Sequence, residues 1–194
     1  IDAGKLGYNT IAQTILARPL PPYSSIHPDK VALDSEENRT DYYYLIGWDG
    51  DQNSPPEPVT ILLHSWHPSE PPRLHAEAFL QSYRRSVERF AASPVDEPQS
   101  FFVLASCVPR CFDSNIPNAN EKATLKIVSF PRDNSETAVF FSRNTELYET
   151  IKSYQNGAIM SRPMALTVTL QWSDPSEGNR YPELIKIDSF DWHP

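Results

Sequence analysis

Apolar and polar side chains alternate along several short stretches of the chain, which is the pattern of half-buried β-strands. The alternation is strictest over 164–172, where every second residue is large and apolar. The same pattern predicts four further strands in the second half of the chain, at 99–108, 123–130, 137–143 and 183–192. In the last of these the apolar face changes after Ile187, which predicts a bulge near Asp188.

The first half of the chain carries a shorter alternating pattern followed by a helical one. Residues 42–48 alternate and the alternation resumes over 59–63, which predicts a β-hairpin with a long loop. Residues 73–92 place apolar side chains on one arc of a helix and charged ones opposite, so we predict an amphipathic helix with Ser69 as its N-cap. Residues 8–17 fit a short strand or a helix equally well.

A second, shorter helix is predicted between the strands at 137–143 and 164–172. It spans 145–156, with Asn144 or Thr145 as its cap and Gly157 as its stop. Three strands, a helix and a final two-stranded hairpin within residues 99–194 resemble an OB-fold in element order and length. The resemblance implies a small five-stranded barrel whose third and fourth strands are separated by the helix.

The overall fold class is therefore α+β and β-rich, with two arrangements open. In one, the C-terminal half is an OB-like five-stranded barrel. In the other, a single larger mixed sheet is covered by the two helices, 73–92 and 145–156. We expect residues 1–40 to form a largely irregular N-terminal arm, 41–98 a hairpin plus amphipathic helix, and 99–194 the OB-like segment, the last two packed as one domain.

Charge and composition narrow the classes of partner. The chain has 194 residues with 17 basic and 25 acidic side chains, for a formal net charge of −8. An acidic balance does not favour phosphate backbones or anionic membranes as generic partners. No apolar run approaches the ~20 residues of a membrane span, and we expect no signal peptide within this sequence. We expect an intracellular protein, cytoplasmic or nuclear, with Cys107 and Cys111 as reduced thiols.

Three histidines, His64, His67 and His75, lie close together in sequence where the hairpin meets the helix. They are the candidate ligands for a metal, but their spacing matches no established zinc pattern and the HExxH motif is absent. The sequence also lacks GxSxG, GxxxxGK[ST] and GxGxxG. We therefore expect no metal, no cofactor and no catalytic residue, and interpret the histidines as structural.

Binding surfaces offer more candidates than reaction centres. Phe140 and Phe141 are adjacent on a predicted strand, so one ring must point away from the core. Under the OB interpretation such a ring would stack on bases, with nearby cations following a nucleic-acid backbone: Lys122, Lys126, Arg132 and Arg143. The amphipathic helix adds an arginine face made of Arg84, Arg85 and Arg89, a residue type favoured at protein interfaces.

These observations favour a non-enzymatic binding or scaffolding domain, a subunit or fragment of a larger assembly that docks a protein partner. The chain has 19 prolines against 6 glycines, and loops stiffened by proline lose little entropy on docking. The first alternative is a single-stranded nucleic-acid-binding OB-fold protein. The second is a metal-dependent enzyme built on the three histidines.

Overall fold

The computed structural model describes residues 1–3, 6–20, 22–34, 39–48, 59–67, 69–128, 136–174 and 179–190. In this part of the chain the fold is α+β and rich in strands, as the sequence predicts. The chain divides into two compact units, Ile1–Arg84 and Arg85–Pro194. Packing of 41–98 with 99–194 as a single domain stays a prediction.

The first unit is built around an antiparallel sheet in the order β1-β2-β3-β4. Its elements are helix α1 (Tyr8–Ile11), a 3-10 turn (Ile15–Ala17), β1 (Tyr23–Asp34), β2 (Arg39–Trp48), β3 (Val59–Ser65), β4 (Arg73–Leu74) and helix α2 (Ala76–Tyr83). The two alternating segments pair as β2 and β3, with Tyr44 opposite Ile61. Val59 and Ile61 pack against Phe79 and Leu80 of α2 to form the core on this face.

Strand β1 lies within residues 1–40, the segment that the sequence pattern describes as a largely irregular arm. Serines, a histidine and Pro28 interrupt the apolar alternation there, so local propensity is weak. The strand forms because it pairs with β2 along its whole length, with bulges between Tyr23 and Ser25 and between Pro28 and Lys30. Long-range pairing has overridden a weak local signal.

The predicted single helix over 73–92 is divided in the structure. Arg73 and Leu74 are extended because they pair with His64 and Leu63, so α2 begins only after His75. The predicted cap at Ser69 is therefore wrong. A second break follows at Arg85, whose positive φ of 53° ends the α2 hydrogen-bond ladder. Helical periodicity cannot reveal a single left-handed residue of this kind.

The second unit carries the strands of the C-terminal half. Its elements are α3 (Ser86–Ala92), β5 (Gln99–Val108), β6 (Lys122–Val128), β7 (Glu136–Ser142), α4 (Glu146–Ser153), β8 (Met164–Trp172) and β9 (Pro182–Ser189), with 3-10 turns at Ala119–Glu121 and Tyr154–Met160. Helix α4 is capped by Thr145, whose hydroxyl accepts a hydrogen bond from the Tyr148 N–H. Gly157, at φ 77°, lies in the 3-10 turn that follows.

The five strands of this unit close into a ring in the order β5-β6-β7-β9-β8, with β8 pairing back to β5. Neighbours are antiparallel except β7 and β9, which pair in parallel at Phe140 and Glu183. Helix α4 lies between the third and fourth ring strands in chain order. The OB-like five-stranded arrangement is thus confirmed. The alternative of one larger mixed sheet is not found, since the strands divide between two sheets.

The ring interior is filled by the apolar positions that the alternation identifies. Leu166, Val168 and Leu170 of β8 are fully buried and belong to the largest core cluster. The bulge predicted near Asp188 is also confirmed, because Thr167 is opposite Ser189 whereas Val168 is opposite Ile187. Among the residues described, no helix has the length and apolar character needed to cross a membrane.

Candidate protein-docking surface

The three candidate histidines have three different environments. His64 is buried on β3, with Nε2 2.9 Å from Asp2 Oδ2. Its ring meets those of Trp66 and His75 edge to face, with centroids 4.4 Å and 5.8 Å away. Packing and a carboxylate contact therefore hold His64 in the sheet.

His75 and His67 serve local backbone geometry. His75 Nδ1 accepts a hydrogen bond of 3.2 Å from the Ala78 N–H and so caps α2. His67 is exposed, and its Nδ1 accepts from the Ser69 N–H at 3.2 Å. The structure brings the rings of His64 and His75 together, while the ring of His67 contacts the hydroxyl and N–H of Ser69. Within the described ranges, no three His, Cys, Asp or Glu side chains are grouped so that they could hold a metal ion.

The two thiols are both free of disulfide bonds. Cys107 is buried on β5 within the ring core, and burial raises the pKa of its thiol from 9.0 to about 12. A thiol with so high a pKa is protonated at neutral pH and is a poor nucleophile. Cys111 is half-buried and packs beside Ile116 and Phe140.

Neither ring of the Phe140–Phe141 pair is available for stacking with an external base. Phe141 is buried in the ring core. Phe140 points to the outer face but is only 6% exposed, because Ile116 and Tyr181 cover it. The Phe140 and Tyr181 rings meet edge to face with centroids 5.8 Å apart.

The cations around these rings contact groups of the same unit. Lys122 Nζ donates to the Tyr181 hydroxyl at 2.5 Å and lies 3.6 Å from Glu183 Oε1. Lys126 Nζ lies 2.7 Å from Glu136 Oε2. A carboxylate at this distance offsets much of the attraction that a lysine would offer to a phosphate. Arg132, which belongs to the same predicted set of cations, lies outside the described residues.

Arg143 instead helps to fix the loop 109–121, which joins β5 to β6. Its guanidinium donates to the carbonyl oxygens of Pro109 and Asn120. The Thr124 hydroxyl donates to the Arg110 carbonyl at 3.0 Å, and Ile116 is buried under the loop. Contacts near both ends and a buried residue in the middle hold this loop against the outer face of the ring.

Phe112 stands out on this fixed loop because its side chain is 81% exposed. The turn that follows it is also tied, since the backbone N–H and the side-chain amide of Asn115 both donate to Asp113 Oδ1, at 2.9 Å and 3.0 Å. Sequence reasoning missed Phe112, which belongs to no alternating pattern. The available signal was an aromatic residue isolated among polar residues between two strands.

The predicted arginine face does not lie on one helix. Arg84 is the C-cap of α2, whereas Arg85 and Arg89 belong to the start and the last turn of α3. Arg84 and Arg89 are exposed, and Arg85 Nε lies 3.8 Å from Glu88 Oε1. The break at Arg85 therefore divides these arginines between two helices, whereas the sequence predicted one.

No protein-family model matches the chain, and neither a curated protein nor a solved structure matches it. The function must therefore follow from the geometry of the described residues. In the second unit that geometry combines a fixed loop, one exposed phenyl ring and lysines that face carboxylates. Such a surface can bury an apolar anchor in another protein more readily than it can follow a phosphate backbone.

Proposed function

We propose that the chain is a non-enzymatic binding domain, an intracellular subunit or fragment of a larger assembly, which docks a protein partner through the loop 109–121. The observation that carries this proposal is the exposure of Phe112, at 81%, on a loop whose backbone is held from several sides. Aromatic side chains that enter a partner's pocket account for much of the energy of protein interfaces.

The energetics of such an anchor are favourable in this setting. Full burial of a phenylalanine side chain contributes about 1.5–3 kcal/mol relative to leaving it in water. Ordering a flexible loop on binding would consume part of that gain. The loop here is ordered by Thr124, Arg143 and Ile116 before any partner arrives, so little of the gain is lost.

The test compares affinity capture by the wild-type chain with capture by two variants of the second unit. Phe112→Ser removes the proposed anchor, and Ile185→Ser is the matched control because Ile185 is another exposed apolar side chain, at 44%. We expect Phe112→Ser to lose a partner that wild type and Ile185→Ser retain. Calorimetry with that partner purified should show a Kd raised by about tenfold or more for Phe112→Ser. An unchanged Kd for Phe112→Ser would reject this docking site.

The second candidate function is binding of single-stranded nucleic acid, which the strand order of the ring favours. OB-folds bind oligonucleotides with the face of their second and third strands and with the loop between the first two strands. Phe112 lies in the corresponding loop, 109–121, and an exposed ring there can stack on a base. Fluorescence anisotropy with a labelled single-stranded oligonucleotide separates the candidates. Binding that weakens steeply with salt and requires Phe112 would favour nucleic acid over a protein partner.

A further inference from the structure

The two edges of the first unit's sheet differ. Next to β4, the N-terminal residues close one edge: the Asp2 N–H donates to the Leu74 carbonyl at 2.8 Å, and the Ala76 N–H donates to the Asp2 carbonyl at 3.0 Å. Strand β1 forms the opposite edge, and its only strand neighbour in the described sheet is β2. An edge strand presents main-chain N–H and C=O groups to which another strand can add.

Two apolar side chains on β1 are exposed beside that edge, Tyr23 at 62% and Ile26 at 43%. Residues three apart on a regular strand lie on opposite faces. Here the bulge between Tyr23 and Ser25 changes the register, so that Tyr23 is opposite position 48 and Ile26 opposite Ile46. Positions two apart on β2 share a face, so Tyr23 and Ile26 lie on the same face of the sheet.

We propose that a second copy of this chain adds to the β1 edge by antiparallel pairing about a two-fold axis. The axis passes between Tyr23 and Ile26, so that Tyr23 of each copy lies opposite Ile26 of the other. A two-fold contact uses the same patch on both copies, and the aromatic–β-branched pair therefore occurs twice. The bulge matters because without it the two side chains of one copy would not share a face.

The same strand contains features that keep this contact short and finite. Pro28 has no N–H to donate, and a second bulge follows between Pro28 and Lys30. Both features interrupt the hydrogen-bond ladder between the two β1 strands beyond His27. Asp2 occupies the opposite edge of the sheet beside β4, so the pairing ends at two copies. Each copy carries a net charge of −8, and the dimer is therefore favoured by added salt, which screens the repulsion.

Sedimentation velocity over a concentration series tests the dimer. Ile26→Lys places a charge opposite Tyr23, whereas Ile185→Lys is a matched control with nearly the same exposure, 44% against 43%. We expect wild type and Ile185→Lys to dimerise reversibly, and Ile26→Lys to raise the dimer Kd by about tenfold or more. A wild-type chain that stays monomeric throughout, or equal weakening by the two lysines, would overturn the proposal.

Disulfide trapping tests the register. In a Cys111→Ser background, Tyr23→Cys and Ile26→Cys are oxidised separately and as a mixture. Opposed residues on antiparallel strands have Cβ atoms close enough for a disulfide, and residues three positions out of register do not. We expect covalent dimers in the mixture and few in either variant alone. Equal yields in all three samples would exclude the proposed register. Because Phe112 lies on the other unit, neither result depends on the function proposed above.

Discussion

Asp2 Oδ2 lies 2.9 Å from Nε2 of His64, a side chain that is almost completely buried on β3. The main chain of Asp2 also bridges the Leu74 carbonyl and the Ala76 N–H. One residue near the start of the chain thus holds the β4 edge and supplies a carboxylate to a buried imidazole. His64 is therefore part of the sheet's structure.

Replacing Asp2 should lower stability, and the size of the loss should depend on the replacement. Asp2→Ala removes a hydrogen-bond partner from His64, and we expect the free energy of unfolding to fall by about 1–3 kcal/mol. Asp2→Asn keeps an oxygen that can accept from an imidazole N–H and should lose less. Urea unfolding of both variants measures this. No loss in either variant would mean that only the main-chain contacts of Asp2 contribute.

The cap of α2 gives a second prediction, because sequence and structure name different residues. His75→Ala should lower the free energy of unfolding by about 1 kcal/mol through loss of the bond to the Ala78 N–H. His75→Asn retains a capping oxygen and should recover most of the lost free energy of unfolding. Ser69→Ala is the control and should change stability by no more than about 0.5 kcal/mol. A larger loss for Ser69→Ala than for His75→Ala would contradict the observed helix start.

The Cys107 thiol makes stability depend on pH in the alkaline range. Its pKa is about 12 in the folded chain against 9.0 in the unfolded one, so the native state binds more protons between these values. The contribution is fully present below about pH 9 and is lost as pH rises towards 12, with a slope of up to about 1.4 kcal/mol per pH unit.

Comparison with Cys107→Ala isolates this slope from the titration of lysines and tyrosines. The variant loses some packing at every pH, but the difference in unfolding free energy between it and wild type should shrink as pH rises above about 9. Denaturant unfolding at a series of alkaline pH values measures the difference. A difference that stays constant with pH would show that the thiol does not titrate as its burial implies.

Truncation of two phenylalanines of the second unit should lower stability by very different amounts. Phe140 is covered by Ile116 and Tyr181, and Phe140→Ala should cost about 3–5 kcal/mol. Phe112 is exposed, and Phe112→Ala should change stability by no more than about 0.5 kcal/mol. Thermal or urea unfolding checks both. A large loss for Phe112→Ala would mean that the ring supports the loop and is not free for docking.

The ring was predictable where the local pattern matches the final packing. Alternation over 164–172 marked Leu166 and Leu170 as core, and a change of face after Ile187 located the bulge. The bulge lets Asp188 Oδ2 accept from the Thr169 hydroxyl at 2.6 Å. These features depend on residues that are near one another in sequence or on a strict two-residue period, which a sequence displays directly.

Most of the misses depend on contacts between distant parts of the chain, and one depends on a single backbone dihedral angle. Strand β1 forms because β2 lies beside it, and Arg85 breaks the helix by one dihedral angle. Lys122 and Lys126 were predicted to lie beside and on a strand, but their contacts with Glu183 and Glu136 connect different strands. The cover over Phe140 and the exposure of Phe112 both follow from how one loop folds back. No periodic pattern encodes that path.

Closure of the ring also determines when the second unit can acquire its structure. Strand β5 needs β8 as one of its two neighbours, and β9 must then insert between β7 and β8. Contacts between such distant segments slow folding because the intervening chain must be ordered first. During synthesis, β5, β6 and β7 leave the ribosome before β8 and β9, so their apolar sides stay uncovered until the last strands of the ring have emerged.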